Sequence, residues 1–181
     1  MNASKWYRSS IGALAMVAVA ALIQPVAAQQ AAPAPPPALQ AALAKDVATL
    51  GDKFSGLARV MAGKYDWRPS QGVRSAGEVF NLIVAENGML KGVLTGAAPG
   101  SMPAPVTDTT KLQDALKASS ADLQRVIAGL SDADLRASAT LFGQTTTKQG
   151  AIFMVLFDQH EHLGQSIAYA RSNSIVPPWS K

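Results

Sequence analysis

The sequence predicts an all-α fold, most simply a four-helix bundle. Three observations carry that prediction. Four long segments place apolar residues at three- and four-residue steps. No segment sustains period-two alternation, so strands have no good candidate, and the Gly/Pro-rich stretches fall between the helical patterns rather than inside them.

The chain opens with a leader. Lys5 and Arg8 precede an uncharged apolar run from Ile11 to Ile23, and Val26-Ala27-Ala28 supplies small residues for cleavage. These are the three parts of a secretory signal peptide over residues 1–28, and they predict an exported protein, periplasmic or secreted. Residues 29–38 are Ala/Pro/Gln-rich, a composition with little to bury and a stiff extended backbone, and are expected to be a disordered linker. The remaining span, 39–181, has the usual size of one domain.

From Leu39, the positions Leu43, Val47, Leu50, Phe54, Leu57 and Met61 define a first amphipathic helix that stops near Gly63. A second opens at Ser75, where Ser75-Ala76-Gly77-Glu78 is a capping-box pattern. It runs to about Leu94 with Val79, Leu82, Ile83, Met89, Leu90 and Val93 on its apolar face. The stretch from Ala97 to Thr109 is too rich in Gly and Pro for regular structure. It reads as a mobile crossover, or as a loop laid over the end of the bundle. A third helix begins after Asp108 or Thr109 and carries Leu112, Leu116, Leu123, Val126, Ile127 and Leu130. A short helical turn from Ser131 to about Ala137 leads into a polar loop, Gln144 to Thr147. The last helix, from about Lys148 to Ser172, is apolar around most of its circumference and is expected to be the most buried of the four.

Composition narrows the function. Removing Lys5 and Arg8 with the leader takes the formal charge from +4 to +2, and the remaining basic residues are scattered, so no nucleic-acid stripe is indicated. No second apolar run suggests stable membrane insertion after cleavage. With no cysteine there is neither a disulfide framework nor a thiol nucleophile.

Chemistry concentrates in the last helix. Asp158-Gln159-His160-Glu161-His162 holds both histidines of the chain, and Asp158 and His162 lie four residues apart on one helical face. That spacing suits two ligands of a divalent cation or an intrahelical ion pair. His160 projects elsewhere, toward Phe153 and Leu156, and is expected at a core margin; Glu161 is expected in solvent. On the second helix Glu86 interrupts the face made by Leu82, Met89, Leu90 and Val93, where an unpaired carboxylate would be costly. It requires a proton, a cation or a basic partner such as Arg59 or Arg125. Gln165 and Tyr169, one and two turns beyond His162, are candidate supporting or substrate-contacting groups.

Five pieces occur in order: Trp67-Arg68-Pro69, Val73-Arg74-Ser75, Gly77-Glu78-Val79 with Asn87, His162-Leu163-Gly164-Gln165, and Ile175-Val176-Pro177-Pro178. With them the chain resembles the DinB/YfiT-like superfamily of four-helix bundles over nearly all of its mature length. The resemblance implies a cavity at one end of the bundle. There members bind a divalent cation through three histidines, one from the second helix and two from the last, and use it for hydrolysis or for transfer of low-molecular-weight thiols. Carried onto this sequence, the three positions are Leu82, Asp158 and His162, so one histidine remains. Glu86, one turn after Leu82, is the candidate replacement. The resulting set of Glu86, Asp158 and His162 suits Fe²⁺ or Mn²⁺ better than Zn²⁺, with Ni²⁺ a further candidate. Leu82, Gln165 and Tyr169 would then line the substrate pocket. Such bundles also often present a dimer face, which makes a homodimer an expectation.

Around that core, Trp67 is expected to pin the first interhelix loop, Arg74 to pair with Glu78 or a loop carboxylate, and Pro177-Pro178-Trp179 to fold back over a bundle end. Two classes of function follow. One is a degenerate metal-site cavity that binds a small ligand or a partner. The other is a divalent-metal-dependent hydrolase or thiol transferase using Glu86, Asp158 and His162.

Overall fold

The computed structural model describes residues 38–97 and 103–180. The leader, the linker up to Pro37 and the middle of the Gly/Pro-rich connection lie outside these residues. Four long helices dominate: α1 (Leu39–Val60), α2 (Ala76–Thr95), α3 (Thr109–Ala128) and, after a five-residue helix α4 (Asp132–Arg136), α5 (Lys148–Ser172).

Their ends are set by local chemistry. Ser75 caps α2, its hydroxyl accepting from the Glu78 amide at 3.3 Å while its own amide donates to the Glu78 carboxylate at 2.6 Å. Asp108 caps α3 by accepting from the Lys111 amide at 2.8 Å, and Thr147 caps α5 through the Gly150 amide at 3.0 Å.

The helices form a ring in which α1 touches α3 and α5, and α2 touches α3 and α5. Consecutive α1 and α2 therefore stand diagonally across the bundle. Leu50, Phe54, Leu57, Phe80, Ile83, Leu90, Leu116, Leu123 and Ile127 fill the space between them and are fully buried. Each such side chain contributes about 1.5–3 kcal/mol. Where α1 and α3 come closest, a Cβ on Gly51 would stand 2.5 Å from that of Ser120, so glycine at this position permits the approach.

The connections tie the ends down. Trp67 packs edge-to-face on Tyr169 of α5 at 5.2 Å, which is the anchoring expected of it. The part of the long connection after residue 102 is clamped to α2: Asn81 accepts from the Val106 amide at 2.7 Å and donates to its carbonyl at 3.0 Å. The C-terminal segment folds back, with the Lys53 ammonium 5.6 Å from the centre of the Trp179 ring.

Two expectations are corrected. Gln144 to Thr147 is not a loop but strand β2 (Gln144–Thr147), paired antiparallel with β1 (Ser138–Leu141) so that Ser138 faces Thr147 and Leu141 faces Gln144. The two-residue turn between them, Phe142-Gly143, holds both residues at positive φ, 51° and 76°, as tight hairpins require. β1 alternates exposed and buried residues over only four positions and β2 has no buried face, so neither strand is long enough to show a sustained period-two pattern in the sequence. Packing against α2 and α5 supplies the burial that an isolated hairpin lacks.

The second correction concerns α5, which is not wrapped on all sides. It has two long neighbours, and its outer face leaves Phe157 63 % exposed, stacked on Phe153 at 5.7 Å. Among the described residues no helix is long and apolar enough to cross a membrane.

Candidate functional site

Glu86 reaches the site from α2, and Asp158 and His162 reach it from α5, one turn apart on the face turned toward α2. One donor atom from each lies within 4.8 Å of the others. His162 Nε2 stands 3.5 Å from Asp158 Oδ2. Donors that share one cation at about 2 Å each sit roughly 3 Å from one another, so small side-chain adjustments close the set.

Exposure grades across the trio. Glu86 is only 7 % exposed, the His162 side chain 15 % and that of Asp158 49 %. Glu86 Oε2 is buried without a hydrogen-bond partner, a state that a free carboxylate does not hold cheaply. Burial first, then the neighbouring Asp158 carboxylate, push the Glu86 carboxyl up to about 8, while Gln159 and Arg74 pull in the opposite direction. Its partner is therefore neither Arg59 nor Arg125; Arg125 pairs instead with Asp122.

A chain of hydrogen bonds orients the imidazole. It ends at the backbone carbonyl of Arg74, which can only accept, so the Tyr169 hydroxyl donates to it across 3.1 Å. The Tyr169 oxygen accepts from Gln165 Nε2 at 2.7 Å, which turns the Gln165 carbonyl oxygen toward His162 Nδ1 at 2.8 Å. Nδ1 must carry the proton, and a neutral His162 presents the Nε2 lone pair to Asp158 and Glu86. Gln165 and Tyr169 thus hold the imidazole and are not among the residues that line the cavity.

The cavity above the trio has a volume of about 280 Å³. Leu82, Ala85 and Met89 of α2 and Phe142 of the hairpin join the three polar groups and Arg74 in its wall. Phe142 was missed; its one signal is the Phe-Gly pair between Thr-containing runs, which reads as a hairpin turn only once the strands are known.

Two further placements differ from expectation. His160 is not at a core margin but on the surface, 2.9 Å from Asp46 of α1, because the ring arrangement puts α1 beside that side of α5. Arg74 does not pair with Glu78; Arg68 does, at 3.4 Å, and Arg74 lines the cavity with its charge acting on Glu86.

The DinB superfamily model matches residues 52–166, the stretch that contains Glu86, Asp158 and His162. This chain belongs to the DinB superfamily. Among solved structures, it is similar to a DinB-like protein of Bacillus subtilis at 15 % identity and a TM-score of 0.61, covering 74 % of this chain and 92 % of that one. A DinB-like protein of Bacillus cereus is similar at 15 % identity and a TM-score of 0.63, covering 73 % and 91 %. At that identity the likeness shows the fold alone. No curated protein matches the sequence.

Proposed function

We propose that this DinB-superfamily bundle holds a divalent cation through Glu86, Asp158 and His162 and presents it to a small molecule in the cavity. The observation that carries the reading is the meeting of Glu86, Asp158 and His162 donor atoms within 4.8 Å of one another, beside a buried Glu86 oxygen that has no hydrogen-bond partner. Two carboxylates and one imidazole form a hard donor set suited to Mn²⁺ or Fe²⁺. When bound, the cation would polarise a carbonyl or phosphoryl oxygen. The chain's own contributions are separate from that. The Arg74–Tyr169–Gln165 chain holds Nδ1 of His162 and so aims Nε2 at the carboxylates, and Asp158, the most exposed donor, stands at the solvent side.

Metal analysis after equilibration with Mn²⁺ tests this directly. One equivalent per chain, lost in His162→Ala and Glu86→Leu, is the expected result. A chain that stays metal-free and melts unchanged with or without chelator overturns it.

A second reading has its own support. Burial and the neighbouring Asp158 push the Glu86 carboxyl up to about 8, so a proton rather than an ion can sit between the two acids. In that case the cavity binds a small ligand, and the metal analysis returns nothing. The three-part leader supports an exported protein in either case; N-terminal sequencing of the protein recovered outside the cytoplasm should begin near Gln29.

A further inference from the structure

The charges around the cavity point to what it accepts, an inference that rests on the cation reading above. A divalent cation is neutralised by Glu86 and Asp158, and His162 adds no charge in the tautomer that offers Nε2. Arg74 is then left over. It lines the same cavity and makes no ion pair among the described residues, whereas neighbouring Arg68 is committed to Glu78. The loaded site therefore carries one uncompensated positive charge, on a planar group suited to bidentate binding.

The remaining wall is apolar: Leu82, Ala85 and Met89 on one side, and on the other the ring of Phe142. Phe142 is 69 % exposed at the hairpin tip and holds φ at 51°, an uncommon backbone for an aromatic residue. An apolar ring placed there in water, on a strained turn beside a cavity, gains burial only when something fills the cavity.

We propose that the cavity binds a small apolar monoanion, a carboxylate held between Arg74 and the cation with its hydrocarbon body against Leu82, Met89 and Phe142. The volume of 280 Å³ equals that of about nine waters at roughly 30 Å³ each, room for a small molecule and no more. A monoanion brings the site to neutrality. A phosphate dianion overshoots beside the half-exposed Asp158, and an amine is repelled by Arg74 and the cation.

The test is calorimetric titration of the full chain in two stages. Mn²⁺ is titrated first and alone; if it does not bind, the cation reading falls and this proposal falls with it. Phenylacetate, phenylethanol, phenethylamine and phenyl phosphate are then titrated onto the Mn²⁺-loaded protein. Phenylacetate is expected to bind about tenfold or more tightly than phenylethanol, which corresponds to one charge-assisted contact, with the amine giving no measurable heat.

Arg74→Gln should erase the preference for acid over alcohol while Mn²⁺ affinity persists. Phe142→Asn, which tolerates the left-handed turn, should weaken phenylacetate several-fold without affecting acetate. Should Mn²⁺ bind normally while phenylacetate and phenylethanol bind alike, or phenyl phosphate bind tightest, the carboxylate assignment is wrong and the metal site stands.

Discussion

Two polar pairs sit side by side where α2 faces α5, and they have opposite characters. Asn87 and Gln159 are buried amides, Gln159 donating to the Asn87 oxygen at 2.9 Å while Asn87 donates to Ser119 and Ser120 of α3 at 3.1 and 3.2 Å. Glu86 and Asp158, each one residue earlier on the same helices, are two carboxylates that repel, with one oxygen left unpartnered. Neutral groups that alternate donor and acceptor can satisfy one another and staple three helices together. Like charges cannot, and such a pair persists where something else, a proton or a cation, completes it. The difference between a satisfied and an unsatisfied polar pair is thus visible across one residue of helix.

The comparison breaks most severely at the amide pair. Asn87→Leu, close in volume, leaves the Gln159 amide buried without its acceptor and should cost about 2–4 kcal/mol in denaturant melts, with Mn²⁺ stoichiometry unchanged in the folded fraction. A larger effect on metal than on stability would mean that the two pairs are not separable.

Making the charged pair resemble the neutral one should have the opposite sign. In the metal-free protein Glu86 keeps its proton up to about pH 8, against an ordinary value of 4.5. Between those values the folded state binds more protons than the unfolded one. The stabilisation is therefore complete below about pH 4.5 and is lost as pH rises through 8. Glu86→Gln should remove that slope and raise stability at pH 8 by about 1–3 kcal/mol, while abolishing Mn²⁺ binding. Urea melts of the chelated protein across this range would show it, and parallel wild-type and variant profiles would rule the idea out.

Smaller effects test the support of the imidazole. Tyr169→Phe or Gln165→Leu should weaken Mn²⁺ by about tenfold, because His162 is no longer held in one orientation. Smallest of all is His160→Ala. Its pair with Asp46 lies at the surface, so its loss should cost under about 1 kcal/mol and leave metal affinity untouched.

The sequence by itself determined the helices and the pairing of Asp158 with His162. Caps, such as the Ser75–Glu78 box, and i,i+4 neighbours are made within one turn of chain, so the residues that decide them are adjacent in the text. The buried acid at Glu86 was legible as an anomaly on an apolar face, and the resemblance supplied its meeting with α5. What only tertiary structure decided depends on which helices become neighbours. Setting α1 beside α5 drew His160 onto Asp46, leaving α5 with two long neighbours exposed Phe157, and packing of a four-residue hairpin on α2 and α5 brought Phe142 to the cavity. These contacts join residues far apart in the chain, and their free energy comes from burial against partners that no local pattern names.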